Sequence, residues 1–473
     1  MPKSPAPLEK IKIARFREHE QRNFQATSLP VRALRYYRGL AAKHPPHIVW
    51  YHVMTRVVAS LRNRLGTKFG KKQTEDVAVA DPEAGFSAAQ DALIRDLIAR
   101  VEKGISLQQP LLFAVRITGG IGDALIVARL VRDLQAELGN DAMFDVYFES
   151  HKIIEPFFKS CPGFRNSLNV RLFERSRSHY SFALLANQFV TFDNENIDCE
   201  TLLDKKPEVL NLFSQIEKAR VLVDRYISNH PFLDGAFADI AVRKGSQRYT
   251  YLHEMLGLAY GGDRLQIEVD HELPGKLGLS AGKYVTIHDG WDGKFKIAGP
   301  RPTKAVPKKT WIEIVRNLKA TRPDLVIVQL GGETGDHIPG VDIDLKGSLS
   351  FMQSAAILAN AAAHIDAESG LVHLAAALGV RSAVMFGPTN VAWFGYPQNA
   401  NIPPKECGNC WWSTDTWMDS CPVGHEKPIC TSNINALEVV TEALKLVDTP
   451  YTDQSLTASS SSNDIAAKLK TAG

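Results

Sequence analysis

Three stretches of this sequence concentrate residue types that do chemistry. The first is Asp366-Ala-Glu-Ser-Gly-Leu-Val-His373, which runs on to Gly379. It reads as a strand end, a tight turn and a short helix. Ser369 can cap the helix, Gly370 tolerates the turn, and Gly379 can stop it. A helix that begins where a strand ends points free N–H groups and the positive end of its dipole above the sheet, where phosphate is the usual occupant. His373 falls in the first helical turn. The second stretch is Thr118-Gly-Gly-Ile-Gly-Asp123. Its glycine spacing fits neither the dinucleotide fingerprint nor a P-loop. It offers a carboxylate at the mouth of a strand-to-helix turn, on the crevice side of an open sheet. Asp123 is there either as an acid–base group or as a helix cap.

The third stretch is Cys407-Gly-Asn-Cys410, then ten residues before Cys421 and eight more before Cys430. Four thiolates so spaced can enclose one tetrahedral metal, because a Cys-x-x-Cys pair supplies two ligands from one turn. Zinc is the default and a single iron also accepts four sulfurs. His425 could substitute for one ligand, and four unligated thiols are the alternative. Such a metal leaves no open position, so it is expected to staple a loop rather than take part in chemistry. Cys161 and Cys199 stand alone and are expected to be reduced.

These residues need a scaffold, and the pattern around them supplies one. An apolar run over 111–117 predicts a strand, 124–138 an amphipathic helix and 143–148 a second strand. Helices are expected over 153–159 and 249–260, with an extended segment over 265–269. Alternation restarts after a boundary near 276. Strands are expected over 283–288, 325–330, 363–366 and 381–386, and helices over 311–321, 351–362, 371–378 and 436–447. Two such runs predict an α/β chain with two facing Rossmann-like domains, 105–275 and 276–449, and a cleft between them.

The 473-residue chain has a formal net charge of +3, but residues 1–72 hold sixteen Lys and Arg against three acidic residues. Residues 1–104 therefore read as a basic, mostly helical extension and linker, with helices over 31–42, 47–65 and 87–103. Such a surface can pack on a second copy in a homo-oligomer, or touch an anionic membrane. No nucleic-acid motif accompanies the charge, so nucleic acid is not an expected partner. No run approaches the ~18 apolar residues of a membrane helix, and the charged start does not read as a secretory signal. A cytoplasmic location is expected, with peripheral contact at the inner membrane as an option. Residues 450–473 read as a disordered tail with a short helix over 464–469.

Gly119-Gly-Ile-Gly-Asp-Ala-Leu125 is similar to the Gly-Asp turn of bacterial heptosyltransferases, glycosyltransferase family 9. The stretch from Asp366 to Gly379, followed by Phe386-Gly-Pro-Thr389, resembles the donor signature of that family. Thr303-Lys-Ala-Val-Pro-Lys-Lys-Thr-Trp311 resembles its Lys-x-Trp-Pro segment, with Val306 in place of the tryptophan. Ala367 and Glu368 interrupt the usual Asp-Thr/Ser-Gly, so either Asp366 or Glu368 takes the family's acidic position. The cysteine string resembles the iron-binding segment of autotransporter heptosyltransferases, which O-glycosylate bacterial surface proteins.

The resemblance implies a GT-B fold and an inverting, metal-independent transfer from a nucleotide sugar, with heptose and ADP-heptose expected. Asp123 would be the general base. Thr303 and Lys304 would lie at the donor, the lysine on its diphosphate. Ser369, Gly370 and Leu371 would offer N–H groups, with His373 beside them. Asp366 would contact the sugar or order the loop, and Glu333 would accept from ribose hydroxyls. The acceptor would be a protein or a lipopolysaccharide-type glycan. The alternative is a non-catalytic nucleotide-sugar-binding or scaffold protein of the same fold.

Overall fold

The computed structural model describes residues 111–198, 202, 206, 208–291 and 301–449. The expected helices over 31–42, 47–65, 87–103 and 464–469 lie outside the described residues, as does Cys199. Strand β1, Leu111–Ile117, is apolar along nearly its whole length because both of its faces are covered. It pairs in parallel with β2, Ala142–Phe148, and with β4, Phe182–Ala186. β3, Phe164–Asn169, extends one edge, and β5, Val190–Phe192, closes the other in antiparallel sense. The order is β3-β2-β1-β4-β5. Helix α1, Ile121–Leu138, follows β1, and α2, Glu208–Ile227, α3, Asp234–Arg243, and α4, Arg248–Leu256, complete this half. Gly257, at φ +67°, terminates α4 in the left-handed region that glycine enters without strain.

The second sheet is parallel throughout, in the order β11-β10-β9-β6-β7-β8. Its strands are β6, Tyr284–Ile287, β7, Val326–Gln329, β8, Ile343–Asp344, β9, Ala363–Ala367, β10, Ser382–Met385, and β11, Ala400–Ile402. Helices α5, Lys308–Thr321, α6, Phe351–Ala359, α7, Gly370–Leu378, and α8, Ala436–Asp448, cover it. The segment expected to be extended over 265–269 forms no strand. Its Leu265 N–H is taken by the Ala377 carbonyl at the end of α7, so no strand edge is offered to it. The helix expected over 153–159 is a single turn, His151–Ile154, running into a 3-10 turn at Glu155–Phe157.

Two parallel sheets, each flanked by helices, make this a GT-B architecture. One apolar core runs through both halves: Leu125, Leu130 and Phe237 of the first half are continuous with Val372, Leu374 and Trp393 of the second. A second core, with Trp311, Ile314 and Val439, lies on the far face of the second sheet. The result sets the carboxyl ends of β1 and β9, and the helices that follow them, face to face.

Candidate active site

The two helix starts meet at their glycines. A Cβ on Gly370, the first residue of α7, would lie 3.5 Å from the Gly122 amide nitrogen in the first turn of α1. A Cβ on Gly122 would lie 2.6 Å from His373 Cδ2. At Gly122 even a methyl group would collide with the His373 ring, whereas at Gly370 it would make an ordinary van der Waals contact, so the close approach depends on the glycine of α1.

On the α7 side, Ser369 caps the helix. Its Oγ accepts from Leu371 N–H at 3.1 Å and donates to Asp366 Oδ2 at 2.5 Å. Asp366 is fully buried. His288 Nδ1 lies 3.0 Å from its Oδ2 and His364 Nε2 lies 3.2 Å from the same oxygen. Burial alone would raise the Asp366 carboxyl, but the charge and hydrogen bonds of His288 and His364 outweigh it and hold it down at about 2. Burial works against protonation of His288, and the Asp366 carboxylate overcomes it and raises that imidazole. Asp366 is thus spent on ordering the turn.

Glu368 is the acidic group that stays at the helix mouth. Its Oε1 is 3.8 Å from His373 Nε2, and Lys304 Nζ donates to its backbone carbonyl at 3.3 Å. Desolvation pushes the Glu368 carboxyl up, while His373 and Lys304 bring it below the ordinary range. Lys304, Glu368 and His373 therefore gather around the start of α7. Thr303 is turned elsewhere: its hydroxyl donates to the Trp417 carbonyl at 2.6 Å, and its N–H to the Met418 carbonyl. Glu333 is exposed beyond β7, packed on Gly347.

On the α1 side, Asp123 is part of the first helical turn. Its Oδ2 accepts from Gly120 N–H at 2.9 Å, which is the capping contact, while Oδ1 accepts from Arg248 Nη2 at 2.7 Å. Arg248 is 1% exposed, and its Nη2 also reaches the Asn187 carbonyl. Among the described residues its Nε and Nη1 find no partner. Asp234, held by His230 Nδ1 at 3.0 Å, feels both the Arg248 and Asp123 charges. Arg248 was not visible from sequence, because nothing local to it marks a partner 125 residues away. Nor were Arg129 and Tyr396, which join the halves behind His373.

The cysteine loop straps the halves together. Trp411 N–H is taken by the Pro388 carbonyl. A Cβ on Gly235 of α3 would sit 1.9 Å from the Trp411 carbonyl, and Asn409 Nδ2 donates to Asp239 Oδ1 at 2.8 Å. Asn409 and Trp412 are both held in the left-handed region at φ +53°. The four thiols are near enough to feel one another: burial first, then Cys430, Cys421 and Cys407, push Cys410 up to about 12. The donor types suit zinc or iron, but among the described residues no three Cys, His, Asp or Glu side chains converge into a ready metal site.

Two such sheets, with Asp123 at one helix start and Lys304, Glu368 and His373 around the other, have the layout of the GT-B fold class. Residues 301–414 match the family model of glycosyltransferase family 9 (heptosyltransferase). No curated protein matches the chain. Among solved structures it is similar to a glycosyl transferase family 9 protein from Veillonella parvula, at 15% identity over 72% of this chain and 97% of that one, with a TM-score of 0.40. It is also similar to the iron-containing dodecameric glycosyltransferase TibC from enterotoxigenic E. coli, at 17% identity over 72% of this chain and 77% of that one, with a TM-score of 0.46. The E. coli ADP-heptose LPS heptosyltransferase II aligns at 15% identity over 71% of this chain and 98% of that one, with a TM-score of 0.40.

Proposed function

We propose that this protein is an inverting heptosyltransferase that moves a heptose from ADP-heptose to a hydroxyl group without a catalytic metal. The observation that carries the reading is the approach of Gly370 to Gly122, which brings the Asp123 turn and the phosphate-accepting start of α7 to one point. The diphosphate lies at the N-terminal end of α7, on the Gly370 N–H and the positive end of the helix dipole, with Lys304 alongside. The acceptor oxygen attacks the anomeric carbon and Asp123 takes its proton. The bond from that carbon to the β-phosphate oxygen breaks, and Lys304 offsets the charge left on ADP. Glu333 is assigned to the ribose hydroxyls.

The acceptor is proposed to be a protein hydroxyl, as the cysteine string suggests, with a lipopolysaccharide-type glycan as the other candidate. Cys407, Cys410, Cys421 and Cys430 are proposed to hold one structural iron or zinc when it is supplied, bracing the loop that bridges α3 and Thr303. The basic N-terminal region is proposed to serve assembly into an oligomer or contact with the inner membrane from the cytoplasmic side.

Mass spectrometry of donor turnover across a panel of nucleotide sugars tests the reading. ADP-heptose should be consumed faster than UDP- or GDP-sugars, with ADP released. A protein that binds a donor and never turns it over, with any acceptor offered, would instead be a scaffold.

A further inference from the structure

Behind His373 lie two buried polar side chains, Arg129 and Tyr396, that the transfer reaction does not itself require. Arg129 of α1 is fully buried, and its Nη1 donates to the Tyr396 hydroxyl oxygen at 2.6 Å. Its Nη2 reaches the His373 carbonyl at 3.3 Å and its Nε the Asp263 carbonyl at 2.6 Å. The Tyr396 hydroxyl lies 2.7 Å from His373 Nδ1, and Tyr396 is also fully buried.

The roles in this chain follow from what each group can do. A guanidinium has donors only, so the Tyr396 oxygen must accept from Arg129. The single hydroxyl hydrogen of Tyr396 is then free to go to one place within reach, His373 Nδ1. A nitrogen that accepts a hydrogen bond carries no proton, so in the neutral ring the proton sits on Nε2. Nε2 is the atom turned toward Glu368, at 3.8 Å from Oε1. A lone pair there would face a carboxylate, and an N–H faces it favourably. Turning the ring over would carry Nδ1 to the edge that faces Gly122 and give up its hydrogen bond with the Tyr396 hydroxyl. Burial also raises the Tyr396 phenol to about 12, so the hydroxyl keeps its hydrogen near neutral pH.

We propose that Arg129 and Tyr396 are positioning residues that lock His373 in its Nε2–H tautomer and so keep a hydrogen-bond donor aimed at the start of α7. Arg129 comes from one half of the protein and Tyr396 from the other. The donor is therefore set only when the two halves are together, and separating them releases the tautomer. That His373 points at a nucleotide diphosphate rests on the function proposed above; the tautomer lock does not.

The test is nitrogen-15 NMR of the full-length protein labelled at histidine, with the His373→Asn variant used to assign the His373 signals. The wild type should show a protonated Nε2 and an unprotonated Nδ1. Tyr396→Phe removes the hydroxyl and should shift His373 toward Nδ1–H or a mixture, and weaken ADP-heptose binding about tenfold with a smaller change in kcat. Arg129→Lys keeps a donor to the Tyr396 oxygen and should preserve the Nε2–H signature, whereas Arg129→Met should lose it. An Nδ1–H wild type, or an unchanged tautomer in folded Tyr396→Phe, overturns the proposal. An Nε2–H wild type that responds to Tyr396→Phe but binds no nucleotide sugar supports the lock and counts against the functional reading alone.

Discussion

The guanidinium of Arg248, 1% exposed, donates from Nη2 to Asp123 Oδ1 at 2.7 Å. The other oxygen of that carboxylate is held by the Gly120 N–H. Asp123 is thus pinned at both oxygens in one orientation, one residue after the Gly122 that meets the start of α7. A general base needs that fixity, because proton transfer depends on a hydrogen-bond distance to the acceptor oxygen. Arg248→Gln should leave the donor affinity within about twofold of wild type while lowering kcat roughly 10- to 100-fold, within the range general-base geometry commands. Steady-state kinetics with a calorimetric donor titration separates the two, and a kcat near wild type in a folded variant would remove Arg248 from the site.

Asp123→Asn tests the proposed base directly. The amide keeps the size and one acceptor oxygen, but it cannot take a proton. It also sets an NH2 group against either Gly120 N–H or Arg248, so some thermal stability should be lost with the cap, about 1 kcal/mol. Transfer should fall by a factor on the order of 10²–10⁴, with donor binding intact. Transfer that survives at near wild-type rate would sink the assignment.

Gly122→Ala sets two effects against each other. Alanine favours the helix by up to about 1 kcal/mol. Its Cβ, however, would lie 2.6 Å from His373 Cδ2, on a ring that Tyr396 holds from the other side. A forced contact of this kind costs about 1–3 kcal/mol in a packed interior, so the clash wins. A lower Tm together with weaker donor binding is expected. A variant more stable than wild type would show that the halves part easily.

How much of this was legible in the sequence depends on how local each signal was. Ser369 and Gly379 carry their roles in their own chemistry and in their neighbours, and both cap α7 as expected. The Gly-rich turn before Asp123 likewise marks a strand-to-helix junction by itself. Arg129 and Tyr396 are 267 residues apart, and neither has a local feature that sets it apart from a surface arginine or a core tyrosine. Only the meeting of α1 and α7 gives them a task. Thr303 was read from its place beside Lys304, yet backbone direction turns its hydroxyl to Trp417. Of the two tasks expected of Asp366, contacting the sugar or ordering the loop, the structure shows the second: His288 and His364 enclose it and Ser369 Oγ donates to it, leaving Glu368 at the helix mouth.

The Asp366–His288 pair makes the protein's stability depend on pH in a defined direction. Asp366 titrates lower when folded than when unfolded, so its contribution is complete above the unfolded value near 4 and is lost as pH falls toward about 2. His288 titrates higher when folded, so its contribution is complete below the unfolded value of roughly 6.5 and is lost as pH rises through the folded one. Stability from this pair is greatest between those limits. His288→Gln should lower the Tm across that plateau, because Asp366 stays buried without its main partner, and should also flatten the alkaline decline. Thermal scans of both proteins from pH 4 to pH 9 give the difference curve, and an alkaline slope unchanged in the variant would show that other groups set it.

The cysteine loop supplies the last expectation. Its contacts to Thr303 and to Gly235 of α3 hold whether or not the thiols bind anything, but burial and their neighbours push the Cys410 and Cys430 thiols up, so these carry charge poorly unless a cation compensates it. A bound metal would deprotonate them and convert that cost into folding free energy. Elemental analysis of protein prepared without oxygen should return about one iron or zinc per chain. Cys407→Ser should lower that content and the Tm together, and should loosen the strap between α3 and Thr303, which raises hydrogen exchange at the Trp411 and Thr303 amides. Because four cysteines leave a metal no open position, the chemical step itself should be little changed in whatever fraction stays folded. A metal-free wild type with the same Tm as Cys407→Ser would assign the cysteines to packing alone.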